Sequence, residues 1–372
     1  MKYEQKIGMK IQANEKNNKE ERLHELEALQ KKQTTLTDGF GRIARKLRIS
    51  LTDRCNMRCM YCMPQGDVNW FKKEDVLNFD EILRLVGILT DLGIEKVRLT
   101  GGEPLLRPNL EDFVVSLKRM EAIKSISMTT NGLLLADKVV GLKEAGLESV
   151  NISLDSFKAT RFKAITGTDG FKKVMDSINA AYTIGLKVKI NTVVIRGWNE
   201  DEIVDFAKFA RNSGHIVRFI EFMPLDGSGI WQSDLVFSKK EMIEVIENNI
   251  GEIVPLDIPS NKKDSTNLRN VDPAALYSFA DGKGIVGFIP SITEPFCTNC
   301  DRIRLTSDGK LLTCLFENPG HDLRNMLRKG LSENEIKMQL IANVMKKPEG
   351  IVRIIRESKL KPSLSLMHRI GG

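Results

Sequence analysis

Six cysteines fall into two groups of three: Cys55, Cys59 and Cys62 as C-x3-C-x2-C, and Cys297, Cys300 and Cys314 as C-x2-C-x13-C. Three thiolates on one short loop can ligate three irons of a cubane and leave the fourth iron open. Such an iron can take the amino and carboxylate groups of S-adenosylmethionine, and one electron then splits a C–S bond to give methionine and the 5′-deoxyadenosyl radical. The competing readings of the first group are a zinc loop or three unrelated cysteines. Zinc usually takes four ligands, and no fourth stands nearby in the chain. For the second group, a structural zinc with His321 as fourth ligand competes closely on spacing alone. The residues after Cys300 favour a cluster. In C-D-R-I-R-L a strand sets Cys300, Arg302 and Arg304 on one face. Guanidiniums beside a metal suit an anionic substrate, because their forks match phosphate oxygens.

The elements that must position these groups are legible in the hydrophobic pattern. Short β-branched runs over 46–51, 96–100, 125–130, 149–154, 187–195 and 216–222 alternate with amphipathic stretches such as 80–92, 110–120, 171–184 and 200–210. Six β/α units of about 30 residues each predict a parallel sheet and an incomplete barrel, whose open side the rest of the chain must close or cap. Past Gly229 the pattern changes to a helix over 238–248, loops to Asp272, β runs over 276–280 and 285–289, a hairpin over 302–315 and helices over 322–328 and 333–344. The expected organisation is a polar N-terminal extension (1–36, helical over 14–34), a partial barrel (37–229) and a C-terminal α+β region (230–372) that carries the second cysteine group.

Side chains alternate along a strand. Leu47, Ile49 and Leu51 therefore share one face of the first strand, and Lys46, Arg48 and Ser50 the other. The second strand opposes Val97 and Leu99 to Arg98 and Thr100; the fifth opposes Val188 and Ile190 to Lys189 and Asn191. If the apolar faces meet the helices, the lumen is polar and basic. Unpaired charges are too costly to bury there, so the lumen is expected to hold a large anionic ligand.

Composition narrows the class. No apolar run approaches the roughly 20 residues a membrane helix needs, and residues 1–35 lack the apolar core of a secretory signal. A reducing cytoplasm is expected, where cysteines serve metals or catalysis more than disulfides. A net charge of +7 admits nucleic acid, a membrane surface or a small polyanion as partner. The lumen cations favour the polyanion, with no membrane or nucleic-acid partner expected.

Several motifs then fall at strand ends, where barrel active sites sit: R-I-S-L-T-D-R-C-N-M-R-C-M-Y-C-M-P (48–64), T-G-G-E-P (100–104), T-T-N-G (129–132), S-L-D-S (153–156) and E-F-M-P (221–224). The first two resemble the radical S-adenosylmethionine superfamily. Glu103 is expected to accept from the ammonium group of that ligand. Together with C-T-N-C-D-R-I-R-L-T-S-D-G (297–309), D-G-F-G-R (38–42) and a terminal Gly371-Gly372, about nine-tenths of the chain resembles the GTP 3′,8-cyclase family of molybdenum cofactor biosynthesis. The resemblance implies a homodimer of incomplete (β/α)6 TIM-like barrels. Each carries two [4Fe–4S] clusters, one on Cys55, Cys59 and Cys62 and one on Cys297, Cys300 and Cys314. It implies S-adenosylmethionine contacts from Tyr61, Gly102, Ser153 and Met223, and GTP contacts from Arg48, Arg98, Thr129, Lys189, Arg302, Ile303 and Arg304. It also implies an external electron donor and cyclic pyranopterin monophosphate synthase as the partner that takes the product. The Gly-Gly tail either reaches into the active site or frays. The rival readings are another radical enzyme with an auxiliary cluster, such as a peptide maturase or RNA-modifying enzyme, and a zinc-stabilised nucleic-acid-binding module.

Overall fold

The computed structural model describes residues 35–63, 66–225, 229–256, 273–316, 320–351, 353 and 367–371. The helix read over 14–34 and most of the loop before Asp272 lie outside the described residues. Strands β1 (Lys46–Ser50), β2 (Lys96–Thr100), β3 (Ser125–Thr130), β4 (Ser149–Ser153), β5 (Lys187–Val194) and β6 (Ile216–Glu221) pair in parallel in chain order. Helices Phe79–Asp91, Leu110–Lys118, Leu135–Glu144, Phe171–Thr183 and Ile203–Ser213 lie in the connections, with a further short helix at Ala159–Thr166. The first helix begins where Asn78 and Glu81 cap each other's backbone N–H groups, a reciprocal arrangement that fixes its start.

The sheet does not stop after β6. Strand β9 (Ile285–Ile289) pairs in parallel with β6, and β10 (Arg302–Leu305) pairs in parallel with β1. Eight strands are thus parallel, in the order β10-β1-β2-β3-β4-β5-β6-β9, but β9 and β10 are not neighbours and the barrel stays open between them. Beyond β9 run β8 (Ala275–Phe279) and β7 (Ile253–Pro255), and beyond β10 run β11 (Lys310–Leu312) and β12 (His321–Asp322), all antiparallel. The region past Gly229 therefore extends both edges of one sheet.

The predicted alternation holds. Leu47, Ile49, Val97, Leu99, Ile126, Met128, Val150, Ile152, Val188 and Ile190 are buried in one apolar layer with Leu85, Phe113, Val139, Ile178 and Phe206 of the helices. Each such side chain contributes roughly 1.5–3 kcal/mol by leaving water. That layer fixes which way the other face of every strand points, and the other face is polar.

Candidate active site

At the C-terminal ends of the strands, the loop after β1 carries the first cysteine triad into a cavity of about 180 Å³. Cys55, Cys59 and Cys62 line it together with Tyr61, Gly102, Ser153 and Met223, so all four expected S-adenosylmethionine contacts meet the triad in one place. Backbone approach is close. Gly102 N donates to Thr52 O at 2.7 Å, and a Cβ on Gly102 would sit 2.2 Å from Arg54 O. Only glycine lets the T-G-G-E-P turn lie against the cysteine loop.

Burial pushes the Cys55 thiol up to about 11, with Glu103 adding to it, and drives Cys59 and Cys62 well up, with their fellow thiols adding. Buried thiols of this kind ionise when a metal binds them. Among the described residues no three His, Cys, Asp or Glu side chains converge tightly enough for a single metal ion. A cubane spreads its thiolates over separate irons and takes three from the protein when the fourth iron is left open, and three thiols line this cavity.

Three carboxylates stand around this cavity, and the structure assigns each a task. Glu103 supports the turn after β3. It is fully buried, and its oxygens accept from Leu105 N (3.1 Å), Thr130 Oγ1 (2.7 Å) and Asn131 N (2.7 Å). It holds the T-T-N-G turn through three of the roughly four lone-pair sites of a carboxylate, two on Oε1 and one on Oε2, and one site on Oε2 stays available as an acceptor. Glu221 likewise accepts from Lys239 N (3.0 Å), Ile292 N (2.8 Å) and Thr293 N (2.9 Å), which ties the end of β6 to the segment after β9. Asp155 lines the cavity, accepts from Tyr61 OH at 2.7 Å and from Val193 N at 2.9 Å, and burial raises it to about 6. Asn131 was missed by sequence reasoning. Its Nδ2 donates to Cys55 Sγ at 3.7 Å and to Asn56 Oδ1 at 2.7 Å. Its place inside T-T-N-G at a strand end was the signal.

Below the cysteine loop the lumen opens into a second cavity of about 460 Å³, lined by Arg48, Arg98, Lys189 and Arg302 with Lys46, Lys96 and Lys187. Arg304, Arg48 and Arg98 stand side by side across β10, β1 and β2. Burial holds Arg48 well below the ordinary guanidinium range, and Arg304, Arg98, Arg302 and Arg218 depress it further. Burial followed by Arg302 brings Arg304 down to about 10. Like charges directly opposite on a sheet destabilise it, so this arrangement fits a bound polyanion. Arg218, also missed, is buried on the same face of β6 and donates to Asn191 Oδ1 at 2.7 and 2.9 Å. The same alternation that found Arg48 marks it in I-V-R-F-I-E. Thr129 lies in the wall of the first cavity, whereas Ile303 is buried in the apolar layer and lines neither cavity.

The second triad sits on the edge of the lumen beside β10. Cys297 opens a short 3-10 turn (Cys297–Asn299), Cys300 ends it, and Cys314 comes just after β11. Buried Arg42 of D-G-F-G-R pairs with Asp38 at 2.6 Å and donates to Cys297 O at 2.8 Å. Burial alone would raise the Cys300 thiol, but Lys347 and Arg302 outweigh it and bring Cys300 to about 7. Burial raises Cys314, and the neighbouring thiols add to that. Arg302 Nε and Nη2 are buried with no hydrogen-bond partner among the described residues, which fits a donor pair set for an anionic ligand.

The chain returns to this region at its end. Met367 lines the first cavity, Arg369 Nη2 donates to Asn69 O at 2.5 Å, and Gly371 O accepts from Arg304 Nη1. Gly371 thus lies against the lumen cations; Gly372 is outside the described residues.

A partial barrel with three cysteines after its first strand and a glycine turn after its second defines a radical S-adenosylmethionine enzyme. The model of the Radical SAM superfamily matches residues 49–210, and that of Molybdenum Cofactor Synthesis C matches 215–352. The chain is 42% identical to a GTP 3′,8-cyclase of Thermodesulfovibrio yellowstonii over 339 residues, covering 91% of this chain and all of that one. It is 45% identical to a GTP 3′,8-cyclase of Corynebacterium glutamicum over 348 residues, 91% of this chain and 89% of that one. The human molybdenum cofactor biosynthesis protein 1 is 41% identical over 327 residues, 88% of this chain and half of that longer protein. The chain belongs to the GTP 3′,8-cyclase family. Among solved structures, Streptococcus suis SuiB bound to precursor peptide SuiA superposes with a TM-score of 0.58 at 14% identity, over 93% of this chain and 80% of that one; the likeness shows the fold alone.

Proposed function

We propose that the two cavities form one reaction chamber, with S-adenosylmethionine above Cys55, Cys59 and Cys62 and GTP along the lumen toward Cys297, Cys300 and Cys314. The chemistry is that of GTP 3′,8-cyclase, which opens molybdenum cofactor biosynthesis. A [4Fe–4S] cluster on the first triad supplies, when bound, the electron that converts S-adenosylmethionine to methionine and the 5′-deoxyadenosyl radical. That radical takes hydrogen from C3′ of GTP to give 5′-deoxyadenosine, C3′ then joins C8 of the guanine and leaves the unpaired electron on N7, and one further electron from the external donor with a proton gives 3′,8-cyclo-7,8-dihydro-GTP.

The chain's own groups bind and orient. Gly102, Ser153 and Met223 shape the pocket for S-adenosylmethionine, and Tyr61 is fixed in its wall by Asp155. Arg48, Arg98, Lys189, Arg302 and Arg304 hold the triphosphate, with Thr129 at the seam between the two ligands. Cys297, Cys300 and Cys314 would hold a second cluster, which would offer an open iron to the purine end of the substrate. Positioning of this kind contributes through near-attack geometry rather than acid–base chemistry.

One observation carries the substrate assignment. Five guanidiniums from four strands, Arg48, Arg98, Arg218, Arg302 and Arg304, act on one another inside a buried lumen, and a triphosphate has the charge to offset them.

The finer readings rest on the resemblance: a partial barrel (37–229) joined to a C-terminal region (230–372), a homodimer, an external electron donor, transfer of product to cyclic pyranopterin monophosphate synthase, and residence in the cytoplasm. Among the described residues no helix is long and apolar enough to cross a membrane. The test is anaerobic turnover of iron-loaded protein with S-adenosylmethionine, a strong reductant and GTP, ATP or no nucleotide. Cyclised product that appears with GTP alone supports the reading. 5′-Deoxyadenosine that forms at the same rate whichever nucleotide is present defeats it.

A further inference from the structure

Against the second triad lies the segment after the helix Glu333–Met345. Pro348 cannot continue that helix, so Lys346 to Gly350 leave it as a turn packed against the cysteines. Two contacts anchor this turn. Arg42 donates to Cys297 O (2.8 Å) and also to Pro348 O (2.7 Å) and Glu349 O (3.1 Å), clamping turn and cysteine loop together. Gly350 lies against Cys297 at positive φ, and a Cβ there would sit 2.7 Å from Cys297 Sγ. A side chain at position 350 would push the turn off the cysteine.

The clamp delivers Lys347. The residue is 4% exposed. Its ammonium donates to Cys300 O at 2.9 Å, to Arg302 O at 2.9 Å and to Cys300 Sγ at 3.6 Å. None of these contacts is a carboxylate. A buried ammonium is costly unless a counter-charge answers it, and among the described residues the group hydrogen-bonded to it that can become an anion is the Cys300 thiol. A thiolate bound to iron is such an anion. Lys347 also reaches back into β10 through Arg302 O, at the strand that aims Arg302 and Arg304 into the lumen.

We propose that Lys347 is a positioning residue of the second cluster: a buried cation that hydrogen-bonds the Cys300 thiolate, holds it for iron and raises the cluster's reduction potential. Hydrogen bonds to cluster sulfurs and nearby charge are the protein's means of setting that potential. A positive charge beside the sulfur stabilises the more negative, reduced state. The proposal rests on the reading that Cys297, Cys300 and Cys314 hold a cluster, and the experiment separates the two.

The full-length chain is prepared with Cys55, Cys59 and Cys62 replaced by alanine, so that any remaining iron belongs to the second triad. Iron and sulfide analysis comes first. About four irons per chain is the content of one cubane; near-zero iron with lysine in place sinks the cluster reading itself, before Lys347 is altered. Lys347→Met, neutral and of similar reach, is then compared with Lys347→Arg in the same background by EPR-monitored potentiometric titration. The expected result is full iron in both, with the midpoint moved to more negative values in the methionine variant and restored toward the parent value by arginine. Iron lost from the methionine variant alone, while its metal-free form melts like the parent, also supports the assignment, since the fold is then intact and the ligand misplaced. Full iron with an unchanged midpoint in the methionine variant overturns it. A methionine variant whose metal-free form melts early and binds no iron overturns it too, because the lysine is then only part of the fold.

Discussion

The two cysteine triads are alike in number and differ in nearly everything around them. The first sits beside carboxylates: Glu103 acts on Cys55 and Asp155 on Cys59, and burial raises all three thiols. The second sits among cations, with Lys347 and Arg302 acting on Cys300 and the lumen guanidiniums beyond them. The difference suits the two tasks proposed for the triads. A negative, apolar setting disfavours the reduced state of a cluster and so makes it a strong reductant, as cleavage of a sulfonium requires. A positive setting receives an anionic substrate. Both settings come from one sheet, because strand ends supply the first and the lumen face supplies the second.

The sharpest break in this comparison comes from removing one triad at a time. With Cys55, Cys59 and Cys62 replaced by alanine, 5′-deoxyadenosine formation is abolished. With Cys297, Cys300 and Cys314 replaced, S-adenosylmethionine still binds the first cluster but no cyclised nucleotide forms. Product analysis by mass spectrometry checks both. Next in size, Arg304→Ala removes a charge-assisted contact of about 1.5–3 kcal/mol, so kcat/KM for GTP falls by roughly 10- to 100-fold while S-adenosylmethionine binding is kept. Steady-state kinetics with each ligand varied separates the two effects.

Smaller is Gly102→Ala, which forces a Cβ onto Arg54 O and costs about 1–3 kcal/mol. The melting temperature falls and S-adenosylmethionine binds more weakly, with GTP binding unaffected. The smallest effect is a pH profile. Burial raises Asp155 from 3.8 to about 6, so the folded chain holds this proton more tightly than the unfolded chain does. The stabilisation is fully present below pH 3.8 and is lost as pH rises through about 6. Asp155→Asn therefore flattens the decline in melting temperature of the metal-free protein across that window, and calorimetry over the pH range reads it.

Much of this was legible in the residues alone. Period-two alternation placed β1 to β6 within a residue or two at each end and named Arg48, Arg98 and Lys189 as lumen cations before any motif was weighed. Spacing alone singled out both triads. What alternation could not supply was the partner of each late strand. The pairing of β10 with β1 joins residues 256 apart, Lys46 with Arg302, and nothing local in R-I-R-L says it will complete a parallel sheet. The fate of Glu103 was hidden for a related reason. A glutamate in a ligand-binding turn reads as a ligand contact alone, and only the fold shows that it also holds Thr130 and Asn131. Lys347 carried no signal at all, because a lysine at the end of a helix is ordinarily a solvated one.

The division of labour between the triads is tested most directly by asking which cluster each ligand perturbs. Full-length protein retaining only Cys55, Cys59 and Cys62, and protein retaining only Cys297, Cys300 and Cys314, are each reduced and examined by EPR with GTP or S-adenosylmethionine added. S-adenosylmethionine is expected to change the spectrum of the first alone, and GTP that of the second alone. A GTP effect on the first cluster with none on the second would contradict the account.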